Sequence, residues 1–294
     1  MLGAIRLLTE PFASAYMQRA LTISLLLAVL AGVVGVVVQL RQLSFMTDAL
    51  THTVFPGIAI AFVAGESLFV GALIAAAVSA VLLTYAARST RIDQDAFMAL
   101  VLASLFSVGV IVVSRHRSYS ADLTTLLFGR VLAVDTTEII TTAIVAVVAL
   151  GVLVAIRKER LLRAFDETAA EAMGYSLLRI DLAVNLVVAL VVVAAVRAVG
   201  TALVVALLIT PAATARLLCS RLRQLVITSV AIGAVAAWLG LVISYDASLH
   251  HGVRLAAGAT IVVVLTAFFA IVALTQTLRA GRTRRRSLDA VVAT

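Results

Sequence analysis

A single cysteine, Cys219, stands among 294 residues, which excludes an internal disulfide and any multi-thiolate metal site. Lysine is rarer than arginine to the point of a single instance, Lys158. It follows Arg157 and not glycine, so the chain has no Walker-type phosphate loop and cannot bind nucleotide in that way. If ATP drives this protein, another subunit binds it. Charged residues make up 13%, about half the roughly 25% of an ordinary soluble domain. Prolines number three, and no Pro/Gly/Ser-rich linker divides the chain, which reads as one domain without internal repeats.

What fills the sequence instead is apolar: 63% of residues are hydrophobic and the mean hydropathy is +1.15. That excludes a soluble enzyme and indicates a protein whose surface faces lipid. Apolar runs lie at about 20–40, 44–64, 67–87, 96–113, 137–156, 178–196, 201–218, 225–244 and 255–277. A span needs about 20 residues, so the chain reads as an all-α polytopic membrane protein, a bundle of about eight to nine transmembrane helices. The run 201–218 is the shortest and carries Pro211, which makes it a candidate for a broken or partly re-entrant helix. Residues 1–19 are interrupted by Glu10-Pro11 and read as an interfacial leader without a cleavable signal. Residues 278–294, with the run RTRRR, form a basic tail.

The net charge of +8 is accounted for by topology and not by nucleic acid. Assigning the segments near 41–43, 88–95, 157–179, 216–223 and the tail to the cytoplasm places 16 of the 23 Lys+Arg inside and 7 outside. The bias predicts a cytoplasmic carboxyl terminus and an external amino terminus.

An ionisable group inside a span costs about 2.5–3.5 kcal/mol at the helix centre on insertion scales, so each one calls for a reason. Asp48 and His52 are four residues apart in the second run and share one helical face, where both can close on one ion. Pro56, a further turn along, has no N–H and leaves the His52 carbonyl without its helical donor. Thr47 and Thr51 add two hydroxyls. Oxygen and nitrogen donors without thiolate suit Mn²⁺, Zn²⁺ or Fe²⁺. Two side chains are too few for a closed structural zinc site, which fits a site that metal leaves or one completed by a second copy. Against this stands the plainer reading of Asp48 as a helix cap and His52 as a satisfied buried histidine.

Asp246, His250 and His251 precede the last run and are candidates for metal contact at the outer mouth, the alternative being a solvated loop. His116, between Arg115 and Arg117, reads as headgroup-level charge, and Cys219 as a packing residue. The segment Arg157–Asp181 is the longest internal cytoplasmic stretch. Its part from Phe165 to Gly174 is acidic and alanine-rich, with Gly174 placed to stop a short helix that fits a groove on a partner or simply lies in a solvated loop.

Four blocks of the sequence resemble the membrane permeases of ATP-binding-cassette importers for manganese, zinc and related divalent metals. DALTHTVFPGIAIAF (48–62) is similar to the family's D-A-L-S-H-x-x-x-P-G signature, and GTALVVALLITPAATARLL (200–218) to its G-x-L-L-V-x-A-L-L-I-x-P-A-A-T-A-R-L-L signature. ADLTTLLFGRVLAV (121–134) and FDETAAEAMG (165–174) resemble its L-F-G connection and its coupling segment. Thr47 stands where glycine is common and Thr51 where serine is.

The resemblance implies a fold similar to vitamin B12 and siderophore permeases, a bacterial plasma membrane location and a homodimer around the metal path. It implies cytoplasmic ATPase subunits below, an extracytoplasmic metal-binding protein above and no permanently bound cofactor. Asp48 and His52 would contact the ion, with Thr47, Thr51, Pro56, Thr210 and Pro211 lining the path. Phe165, Asp166, Ala170 and Gly174, within a coupling segment spanning 162–176, would meet the ATPase. Readings kept open are an ion-gradient carrier using the Asp/His pair as a relay, an importer of haem or a siderophore, and a channel or scaffold.

Overall fold

Long stretches of valine, a weak helix former in water, become helical here because lipid offers the backbone no hydrogen-bond partner and only a helix satisfies every N–H and C=O within one segment. The computed structural model describes residues 10–86, 94–114, 130–250 and 255–292, and among them no strand occurs. The long helices are α1 (Ala15–Leu40), α2 (Ser44–Ala64), α3 (Leu68–Ala86), α4 (Gln94–Ser114) and α5 (Thr136–Ala155). Two short ones follow, α6 (Arg157–Phe165) and α7 (Glu167–Ala172), before α8 (Leu177–Val199), α9 (Thr201–Leu218), α10 (Leu222–His250) and α11 (Ala257–Val292).

Every apolar run of the sequence corresponds to one of these long helices. Eight are long and apolar enough to cross a membrane, and α4 is apolar over the shorter stretch Ala96–Val112. Run 201–218, a candidate for a break, is instead the continuous helix α9 with Pro211 inside it. A proline removes one backbone bond and the neighbouring turns carry the helix on; Thr214 also donates its hydroxyl to the Thr210 carbonyl at 2.7 Å. The first helix begins at Ala15, ahead of the run that announced it, and α11 continues past residue 278 to Val292.

Helices α1, α2 and α8 are the most enclosed, while α5 and α11 lie at the edge of the bundle. Small residues let backbones touch where apolar attraction gains nothing over lipid. A Cβ on Gly57 of α2 would stand 2.2 Å from the Gly71 carbonyl oxygen of α3, and one on Gly35 of α1 would stand 2.0 Å from that of Leu208 in α9. Inside the bundle the buried Asn185 of α8 donates to the Thr84 hydroxyl of α3 at 2.7 Å, a polar clasp between two otherwise apolar helices.

The two ends of the bundle differ. At one end Arg41, just after α1, reaches the Asp181 carboxylate of α8 at 2.9 Å, and Arg163 of α6 pairs with the same carboxylate. Arg163 also meets Glu167 of α7 at 3.4 Å. Burial lowers Arg41 to about 10, with the positive charges of Arg163 and Arg160 adding to the effect. At the other end Arg130 approaches Glu138 at 3.7 Å, Arg197 lies over the Phe69 ring, and Ser244 donates to the Leu255 carbonyl.

Candidate functional site

Helix α2 starts immediately after the Arg41 corner and presents Asp48 in its second turn. His52 follows one turn later, and its Nε2 stands 3.8 Å from Asp48 Oδ1. The i, i+4 register brings the two together, as the sequence spacing requires. Both remain partly open, with 36% of the His52 side chain and 39% of the Asp48 side chain exposed. The surrounding positions Met46, Ala49, Leu50 and Thr53 are buried, so the pair forms a polar spot on a partly uncovered face of the first half of α2. On the side of α4 the His52 imidazole meets the edge of Phe106, which in turn packs on Phe55; the centroids are 6.3 and 5.3 Å apart.

The two threonines, path-lining candidates from the sequence, lie on a buried face of α2 in the single chain. Thr47 and Thr51 are each 1% exposed and turn into the bundle, about 100° around the helix from Asp48 and His52. Their hydroxyls donate to the carbonyls of Leu43 at 3.0 Å and Asp48 at 2.7 Å. These bonds satisfy both hydroxyls within α2 itself. Pro56 is buried within α2 and cannot donate to the His52 carbonyl, so one backbone acceptor of the site is freed beside the imidazole. Thr210 and Pro211 sit on α9, which packs against α2; Pro211 is buried and Thr210 half-buried.

The mouth candidates split. His250 Nδ1 stands 2.9 Å from Asp246 Oδ1 at the end of α10, where both side chains are open to solvent. His251 and His116 lie outside the described residues, as does the part of the L-F-G block before Arg130. Among the described residues no group of three or more His, Cys, Asp or Glu is placed to hold a metal ion. Among the described residues the α2 site therefore offers an ion the Asp48 carboxylate, the His52 imidazole and nearby carbonyls. That is a partial coordination sphere, suited to an ion in passage. Cys219 is half-buried, 3.4 Å from the Thr228 hydroxyl.

Between α6 and α8, Asp166 caps α7. Its carboxylate accepts from the Thr168 hydroxyl at 2.6 Å and the Ala169 N–H at 2.9 Å, and these bonds hold it below the usual carboxylate range. Ala170 is fully buried, and Gly174 has φ +83°, a conformation that ends the turn at little steric cost. Phe165 ends α6. The residue missed by sequence reasoning is Asp181, shared by Arg41 and Arg163. Its only signal was a carboxylate at the head of an apolar run.

The profile of the family described as the ABC 3 transport family matches residues 13–276. The manganese transport system membrane protein MntC of Listeria monocytogenes is 36% identical over 255 residues, covering 87% of this chain and 91% of that protein. Among solved structures, PsaBC from Streptococcus pneumoniae in complex with Fab superposes with a TM-score of 0.78 at 34% identity, over 92% of this chain and 95% of that one. An inward-facing metal-chelate type ABC transporter gives 0.70 at 14% identity, over 88% and 85%, a likeness of fold.

Proposed function

This chain belongs to the ABC 3 transport family and is the membrane permease of an ATP-binding-cassette importer of divalent metal, and we propose that two copies pass the ion, manganese foremost, between facing Asp48/His52 pairs. The observation that carries the reading is the pair itself: a carboxylate and an imidazole 3.8 Å apart, over a third exposed, on a helix with no other ionisable side chain. Left against lipid, the pair would cost several kcal/mol. A second copy set on the same face removes it from lipid and doubles the donor set to two carboxylates and two imidazoles. Those are hard and intermediate donors that exchange Mn²⁺ readily and lack the thiolate that would trap a softer ion. The manganese named for the Listeria relative supports the same cargo. No resident cofactor is needed, because the metal is substrate.

The ion pairs at the basic end supply a route for ATP-driven movement, with that end facing the cytoplasm and the amino terminus outside. A separate ATPase subunit would receive α7 through Asp166, Ala170 and Gly174. Displacement of α7 pulls on Arg163 through Glu167, Arg163 on Asp181 of α8, and Asp181 on Arg41, seven residues before Asp48. A binding protein outside would deliver the ion to the opposite end. An ion-gradient carrier, open from sequence alone, is set aside by family membership; a bulky chelate fits a lone Asp/His pair less well than a bare ion.

The test is metal accumulation, by mass spectrometry, in cells lacking their own importers and supplied with the permease, its ATPase and its binding protein. Wild type should raise cellular manganese at least tenfold over Asp48→Ala. Equal uptake by the two would overturn the site while leaving the family assignment intact.

A further inference from the structure

At the basic end, a cavity of about 170 Å³ opens between the last turns of α1, the first turns of α10 and helix α6. Its walls are Val33, Val37, Leu161 and Val226, and its rim carries three arginines, Arg41, Arg157 and Arg160. The side chains of Val33, Val37 and Val226 are only partly covered by their own bundle. This brings apolar side chains and three arginines together around one cavity at the basic end.

Glu167 acts on Arg41 from α7, yet guanidinium nitrogens of the rim stay unpaired. Arg41 gives one guanidinium nitrogen to Asp181, which it shares with Arg163, and its other terminal nitrogen, Nη2, is buried without a hydrogen-bond partner. Arg160 donates Nη2 to the Leu153 carbonyl at 2.8 Å, while its Nε is likewise buried and unpartnered. Burying guanidinium N–H groups unpaired is costly, since the whole desolvation penalty remains. Burial and the neighbouring Arg157 hold Arg160 below its usual range, which reflects the same excess of positive charge. An anion bridging these nitrogens removes both costs.

We propose that this cavity binds an anionic phospholipid, its phosphate on Arg41, Arg157 and Arg160 and one acyl chain along Val33, Val37 and Val226. Basic pockets between transmembrane helices with apolar floors have the chemistry for such headgroups. A free anion would satisfy the guanidinium groups but leave the apolar slot without an occupant, and a neutral lipid would fill the slot without meeting the charge. The site is separate from Asp48 and His52, so its test is independent of the metal reading.

The experiment takes the full transporter, delipidated in detergent, and titrates it with phosphatidylglycerol, phosphatidylcholine or inorganic phosphate, reading bound lipid by native mass spectrometry and thermal stability in parallel. Phosphatidylglycerol should bind and stabilise, with phosphatidylcholine at least tenfold weaker. Arg157→Gln/Arg160→Gln should weaken phosphatidylglycerol binding about thirtyfold, at about 1 kcal/mol for each arginine near the headgroup. Arg157→Lys/Arg160→Lys should stay within about threefold. Val37→Trp, which fills the slot and keeps every arginine, should also weaken it about tenfold, and this arm decides the matter if the glutamine variant fails to fold. Equal stabilisation by phosphatidylcholine overturns the proposal, as does full stabilisation by inorganic phosphate alone. Lipid binding unchanged in Val37→Trp, or an ATPase lost from the glutamine variant while lipid still binds, points to another occupant and overturns it as well.

Discussion

Two Asp/His pairs of the same i, i+4 register occur in this chain, Asp48/His52 on α2 and Asp246/His250 on α10. The outer pair is the tighter, at 2.9 Å against 3.8 Å. Yet it stands on the last turn of a helix in the open, where an exposed ion pair contributes about 0–1 kcal/mol and water solvates either partner alone. The inner pair is looser and sits on a membrane-spanning helix whose neighbouring positions are buried. There the surroundings, and not the contact distance, make a polar group expensive and therefore informative. Distance within a pair says how well two side chains meet; the medium around them says whether a third party is expected.

The sharpest way to break this comparison is to cut each pair in turn. His52→Ala should abolish manganese accumulation, a loss of at least tenfold, with the complex still assembled; His250→Ala should leave uptake within about twofold. Equal losses would mean that the outer pair belongs to the pathway too. The next largest effect is expected at the carboxylate that anchors the α1–α2 corner. Asp181→Asn leaves Arg41 and Arg163 facing each other at a largely buried position and should cost about 3 kcal/mol, read as a lower Tm of the purified permease. Among the described residues no comparable anchor holds Asp246, so removing charges near the outer pair should leave Tm unchanged.

A smaller effect follows from crowding at the helix that carries the inner pair. Gly57→Ala puts a methyl group into the Gly71 carbonyl and should force α2 away from α3, costing about 1–3 kcal/mol and reducing uptake although Asp48 and His52 are untouched. The same change at Gly151 of α5, where a Cβ meets nothing within 4 Å, should be neutral in a thermal melt. The smallest effect belongs to the Asp166 cap. Its carboxylate lies below the usual range in the folded chain, so its stabilisation is present above the ordinary carboxylate value and fades as pH falls through the folded one. Asp166→Ala should lower co-purification of the ATPase at neutral pH, whereas Asp166→Asn, which can still cap, should retain it.

The helices were legible because lipid imposes one local rule on every span, long apolar length, and such a rule needs no knowledge of neighbours. Asp48 and His52 were legible for the same reason: helical spacing is local, and their cost in an apolar wall is visible from the run itself. The inward turn of Thr47 and Thr51 was available from the angle between adjacent helical positions, but composition drew both into the site. Asp181 and Asn185 were not legible as partners, because Arg41 and Thr84 lie 140 and 101 residues away in sequence and only the packing of α8 selects them. The continuity of α9 through Pro211 also depends on neighbours, since proline in a span is tolerated where packing and side-chain hydroxyls compensate.

The separation of Arg41 from Asp181 has a consequence for how the protein is made. At about 5–20 residues per second, roughly 7 to 28 s of synthesis pass between the arginine and its carboxylate. During that interval the newborn first hairpin carries a cation at its corner without the carboxylate that pairs with it in the folded chain. Apolar length alone must keep α1 and α2 in the bilayer until α8 emerges. The arrival of Asp181 then acts as a latch, fixing the early hairpin after α3, α4 and α5 have been made and before α9 to α11 follow.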